Sequence, residues 1–162
     1  MKKTVCLIAF GSVMMMLVAC GFVKGKGEAE KIAESLFEER IGKGQFDSDL
    51  DRYYSELFWK NVDDKKWSDI KKLVKTAMGD LKSYVLITWN VQSKVDTNEI
   101  SGTIVVLVYE TTYENGLGTE TLTIHKSLTG DTFAILGHHF NSEQIQELIN
   151  KGIEQVASSS YL

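Results

Sequence analysis

The chain has 162 residues, with 18 Lys and Arg against 22 Asp and Glu, a formal charge of -4, two Cys and no Pro. That length suits one ordinary domain, and 43% apolar with 25% charged residues is the balance of a globular protein, not a disordered or collagen-like one. The acidic balance, without a long Lys/Arg run, argues against sequence-independent nucleic-acid binding, and two Cys cannot build a disulfide framework.

Lys2 and Lys3 open the chain, and an apolar run follows from Val5 to Ala19, interrupted only by Gly11 and Ser12. A bilayer-spanning helix needs about 20 apolar residues, so this shorter run with a basic start reads as a secretory signal. It ends in Leu17-Val18-Ala19-Cys20, followed by Gly21. This end resembles the lipobox of bacterial prolipoproteins, in which an aliphatic residue and a small pair precede an obligatory Cys. The resemblance implies a signal peptide over residues 1–19, cleavage between Ala19 and Cys20, and diacylglycerol on the Cys20 thiol. Acylation of the new amino group by a palmitate-type chain would follow. One acyl chain binds a membrane marginally, whereas two or more hold a protein there.

Processing would remove Cys6 and occupy Cys20, leaving no free thiol and no disulfide. It would also remove Lys2 and Lys3, so that 16 basic against 22 acidic side chains leave about -6. Such a body is held at the membrane by its lipid and not by anionic head groups. Gly21 stands where an Asp often retains lipoproteins at an inner membrane. In a host with two membranes the expected place is therefore the periplasmic face of the outer one, and otherwise the cell envelope.

After Cys20, residues 20–27 read as a lipidated Cys and a Gly-broken tether, residues 28–157 as one α+β domain, and 158–162 as a tail. Ala29, Ile32, Ala33, Leu36, Phe37 and Ile41 recur at three-and-four spacing and predict a helix that Gly42 and Gly44 stop. Leu50, Tyr53, Tyr54, Leu57 and Phe58 predict a second, capped by Asp47 or Ser48. Asp63 or Asp64 caps a third, striped by Trp67, Ile70, Leu73, Val74, Ala77 and Met78 and ended by Gly79.

The period then changes to two. Val85, Ile87, Trp89 and Val91 alternate with Tyr84, Leu86, Thr88 and Asn90 in a first strand, and Asp96-Thr97-Asn98 with Gly102 marks a turn. Thr103–Tyr113, Thr119–Leu128 and Thr132–Phe140 follow as strands. Asn115-Gly116 predicts a type I′ hairpin between the first two of these, and Thr129-Gly130-Asp131 a turn before the last. Ser142 with Glu143 caps a final helix carrying Ile145, Leu148, Ile149, Ile153 and Val156. Helices followed by an antiparallel meander indicate α+β, with N-terminal helices packed on a curved four-stranded sheet.

This order of elements resembles the nuclear transport factor 2-like, or cystatin-like, superfamily. The residues that carry the resemblance are Val105-Val106-Leu107-Val108-Tyr109, the hairpin Tyr113-Glu114-Asn115-Gly116, and Phe133-Ala134-Ile135-Leu136-Gly137. The last segment falls where relatives usually have a large aromatic, then Ile, then Gly. The superfamily includes isomerases, dehydratases, ligand binders and protein-interaction modules, so the resemblance implies architecture and not activity.

Among polar residues, His138-His139 invites a metal reading, but strand neighbours point to opposite faces and His125 lies about 10 Å further along the sheet. No metal or other cofactor is expected. In isomerase- or dehydratase-type relatives an acid or base projects between sheet and helices, and Glu110, His125, His138 and His139 are the strand residues available for that role. Tyr53, Trp67, Trp89, Tyr109 and His125 are candidates to line a pocket, with ordinary core packing as the competing account of the aromatics. Ile104 to Val108 is apolar on both strand faces, so the outer face needs a cover. The terminal helix is the default cover, and a second copy of the chain or another protein is the alternative. The reading that follows is a membrane-anchored envelope lipoprotein, non-catalytic, binding an envelope protein or a small apolar ligand. An isomerase- or dehydratase-type enzyme is the alternative.

Overall fold

The apolar stripe Ala29, Ala33, Leu36 and Phe37 lays helix α1 (Thr4–Lys43) across a four-stranded antiparallel sheet. The computed structural model describes residues 4–43, 46, 48–95 and 100–159, and the side chains of 23–43, 46, 49–95 and 100–152. Gly44, Asp47 and the Asp96-Thr97-Asn98 turn lie outside the described residues, as do the side chains of Cys6, Ala19, Cys20, Ile153 and Val156 and the residues 160–162 of the tail. Phe22 to Gly27, expected to form a tether, continues α1 as helix. A glycine costs a helix interior only about 1 kcal/mol, too little to interrupt one that propagates on both sides. The inner stripe also differs at its end: Ile41 is 42% exposed, and Arg40 turns inward in its place, 1% exposed.

The second predicted helix is two pieces. A 3₁₀ turn at Ser48–Tyr53 precedes Tyr54, which bridges to Ile135, and helix α2 covers Glu56–Asn61. The backbone N–H of Ser55 donates to Ile135 O at 2.9 Å, which draws the chain out of helical geometry. Ser55 Oγ then accepts from the Phe58 N–H at 3.1 Å and caps α2. Helix α3 (Asp64–Met78) starts at Asp63, whose Oδ1 accepts the Lys66 N–H at 2.7 Å, and stops at Gly79 with φ of +74°. It buries Trp67, Val74 and Met78, while Ile70 is left at the surface.

Strands β1 (Leu81–Lys94), β2 (Gly102–Tyr113), β3 (Gly116–Ser127) and β4 (Ala134–Asn141) pair in chain order in one open, curved sheet. Val105, Leu107, Tyr109, Leu122, Ile124 and Ile135 form the inner face and the centre of the core. In β1 no single alternation holds. A register shift between Leu86 and Thr88 pairs Leu86 with Tyr109 but Trp89 with Leu107. Tyr84, Leu86, Trp89 and Val91 thus share the inner face, and Val85 points outward, 61% exposed.

The hairpin between β2 and β3 is tighter than expected. Tyr113 pairs with Gly116, so Glu114 and Asn115 are its central residues, and neither has positive φ. A type I′ turn requires positive φ at both central positions; here the demand falls on Gly116 alone, at +147°.

Ser142 caps α4 (Glu143–Ser159), its Oγ accepting the Ile145 N–H at 3.1 Å. The described part of α4 packs on α3 and does not cover the outer face of the sheet, contrary to the default expectation. A groove of about 810 Å³ separates α4 from that face, between Glu110, Leu117 and Thr119 on one side and Gln146, Glu147 and Asn150 on the other. Ile145, buried against the core, fixes this direction by pulling the start of α4 inward. Among the described residues, no helix is long and apolar enough to cross a membrane.

Candidate functional site

The densest polar chemistry lies on the inner face of the sheet. Arg40 comes from the last turns of α1, Glu120 from the middle of β3, Tyr113 from the end of β2, His138 from β4, and Tyr54 from the bridge before α2. Arg40 Nη1 donates to Glu120 Oε2 at 2.6 Å and Nη2 to the Tyr113 oxygen at 2.8 Å. The Tyr113 hydroxyl donates in turn to Glu120 Oε1. His138 Nε2 lies 2.7 Å from Glu120 Oε2, and its Nδ1 lies 2.8 Å from the Tyr54 hydroxyl. The side chains of Arg40 and His138 are wholly buried and Glu120 is 1% exposed.

These partners fix the proton positions. The carboxylate only accepts, so His138 donates from Nε2, and its Nδ1 accepts from the Tyr54 hydroxyl. This is a neutral imidazole beside one anion and one cation, so the buried cluster carries no net charge. Burial raises the Glu120 pKa, but the Arg40 guanidinium and His138 outweigh it and hold the carboxyl at about 2. Burial lowers His138 below 6.5, more than Glu120 raises it. Arg40 loses by burial and gains more from Glu120, ending above its ordinary value. Burial, foremost, pushes the Tyr54 and Tyr113 hydroxyls up.

Aromatic rings pack against the cluster. The Arg40 guanidinium carbon lies 4.7 Å from the Phe46 ring centroid and 5.7 Å from that of Phe140. His138 stacks on Phe140 at 4.1 Å and approaches Trp67 at 6.0 Å. The gap beside Glu120, between α3 and the sheet, has no room for a water molecule. Arg40 Nε, Trp67 Nε1, Tyr109 Oη and Thr111 Oγ1 are buried without a hydrogen-bond partner. A histidine hydrogen-bonded to a carboxylate is the arrangement of a general base, but here the ring's other nitrogen is occupied and no substrate space adjoins it.

The residues anticipated as a pocket are not brought together. Trp67 is core, touching Tyr54, Phe58 and His138. Tyr109 packs against Phe37 and Tyr84. Tyr53 is half-buried at the margin of the core, donating to Glu39 Oε1 at 2.7 Å. Trp89 is 49% exposed toward the far end of β1. His125 is buried on the opposite face, its Nε2 3.2 Å from Ser101 O under the β1–β2 connection. Glu110 and His139 are exposed. Of the four acid–base candidates, only His138 enters the inner cluster. Three histidines do not converge, and no group of three potential metal ligands forms among the described residues.

Arg40, Glu120 and Tyr113 were not singled out as functional by sequence. A usable signal existed. Arg40 continues the spacing of Ala33, Leu36 and Phe37, and Glu120 continues the alternation of Leu122 and Ile124. Opposite charges at two core positions predict a buried pair. Compared with known proteins, the chain matches no family model, no curated protein and no solved structure.

Proposed function

We propose that the chain is a lipid-anchored protein of the bacterial cell envelope whose domain is a non-catalytic binding module for a protein partner. The observation that carries the second half is the closure of the inner cluster: every member bonds another member, and the space a substrate would need is filled. The first half rests on Leu17-Val18-Ala19-Cys20 behind a basic, apolar leader. Helices followed by a four-stranded meander support a nuclear transport factor 2-like or cystatin-like relationship. The outer face supports a protein partner over a small apolar ligand. It presents Val85 and Ile87, 61% and 55% exposed, on an open strand surface next to Thr88, Asn90 and Gln92, with Glu110 paired to Val85 on the neighbouring strand.

The enzyme alternative keeps one favourable observation, the 2.7 Å contact of His138 with Glu120. It requires α3 to move off β4 to admit a substrate.

The test is a photo-crosslinking residue at Ile87 in the membrane-anchored protein, with Lys60 as a control site on α2. The reading expects adducts of defined mass at Ile87 that vanish with Val85→Glu. A doubled mass would identify a second copy of the chain as the partner. No adduct at Ile87, or equal adducts at Lys60, contradicts a partner on this face.

A further inference from the structure

The antiparallel order brings the β1–β2 connection, the β3–β4 connection and the free ends of four strands to one rim of the sheet. Lys94 pairs with Gly102, Gly102 with Ser127, and His125 with Ala134. This rim carries Val95, 87% exposed, Leu128, 66% exposed, and Ile100, 36% exposed. Helix α1 crosses the same rim. A methyl group added at Gly25 would stand 3.7 Å from the Phe133 ring and from the Thr103 methyl, and Thr103 is the second residue of β2. Val23, one helical step further out, is 67% exposed.

We propose that this rim is a membrane-docking surface, with Val23, Val95, Ile100 and Leu128 seated in the bilayer interface beside the anchor. The proposal rests on the lipid at Cys20 and gives the anchored domain an orientation. From Gly25 back to Cys20 is five residues of α1, about 7–8 Å at 1.5 Å per residue. The interfacial zone on each side of the hydrocarbon core is about 5–8 Å deep. A lipid on Cys20 therefore brings the rim into that zone without further chain. The opposite rim, with the Glu114-Asn115 turn and the start of α4, then faces away from the membrane.

Charge at the rim is mixed, which determines the kind of surface it fits. Lys24 and Lys126 both approach Glu28 at 3.9 Å, Lys26 pairs with Glu30, and Lys94 stands at the end of β1. With lysines and glutamates interleaved in this way, apolar insertion carries the contact, and neutral phosphatidylcholine is a sufficient partner.

The two ends of β3 supply a matched test, since Leu117 is 60% and Leu128 66% exposed. Leu128→Cys and Leu117→Cys are each labelled with an environment-sensitive fluorophore in the detergent-extracted full chain. The proteins are reconstituted into phosphatidylcholine vesicles containing doxyl-labelled phosphatidylcholine, and the mass of the N-terminal peptide is measured on the same samples. The proposal expects lipid on Cys20 and at least twofold stronger quenching at Leu128 than at Leu117. Val95→Cys should repeat the Leu128 result. Equal quenching at the two ends, with lipid on Cys20, overturns the docking surface and leaves the anchor standing. An unmodified Cys20 refutes the anchor and, with it, the docking surface that rests on it.

Discussion

The two faces of the sheet use polar and apolar residues in opposite ways. On the inner face, where burial favours apolar side chains, the protein places Arg40, Glu120 and His138, and satisfies Glu120 and His138 from neighbouring side chains. On the outer face, where water would favour polar side chains, it leaves Val85 and Ile87 open beside Thr88, Asn90 and Glu110. The first pattern costs stability unless every partner is present, and it therefore marks a fixed interior. The second gains nothing for the isolated domain, and the proposed partner would give it a use. Buried charge is not by itself a sign of a working site: here it joins α1 to β2, β3 and β4.

The contrast breaks most strongly at Glu120. Glu120→Ala leaves the Arg40 guanidinium buried and unpaired, and should cost about 3–5 kcal/mol. The urea midpoint is the measurement, and an unchanged value would mean that water already reaches the guanidinium. Gly116→Val comes next, because φ of +147° strains a β-branched residue. The expected loss is about 1–3 kcal/mol, although the turn is not the type I′ that Asn-Gly suggests. Tyr54→Phe removes the one hydroxyl that donates to His138 Nδ1 and should cost about 1 kcal/mol. At the bottom of the scale, Ile87→Thr on the outer face should change stability by no more than about 0.5 kcal/mol. If it alters anything, it is partner capture.

Acid should act most strongly on the inner face. His138 is lowered in the fold, so the unfolded chain binds more protons as pH drops below 6.5, and stability falls from there downward. Glu120, held at about 2, adds stability that is complete above its ordinary 4.5 and is lost as pH falls from 4.5 toward 2. Both slopes have the same sign. Denaturant midpoints between pH 7 and pH 4 should fall steadily, and less steeply in His138→Gln.

Much of this architecture could be read directly because it is local. Asp63 and Gly79 bracket α3, Ser142 starts α4, and the β2 and β3 alternations run unbroken. What could not be read depends on distant partners. Two register shifts, after Leu81 and after Leu86, change which parity of β1 faces inward, and no spacing announces them. The break at Tyr54 arises from an edge contact with Ile135, far along the chain. Arg40 and Glu120 are 80 positions apart, and within Glu38-Glu39-Arg40 the inward residue looks like one more member of a solvated run. His138 was legible as a candidate base, but its enclosure by Phe140, Trp67 and Tyr54 was not.

The central claim, that the inner cluster is closed and holds a neutral histidine against an ionised glutamate, is tested most directly by ¹⁵N NMR of the His138 ring during acid titration. The account predicts a protonated Nε2 and an unprotonated Nδ1 at pH 7, with no titration step near 6.5 while the domain remains folded. A reversible step near 6.5 in the folded protein, with rapid exchange of the Nε2 proton, would contradict it and show that the His138–Glu120 pair is open to solvent and to a substrate.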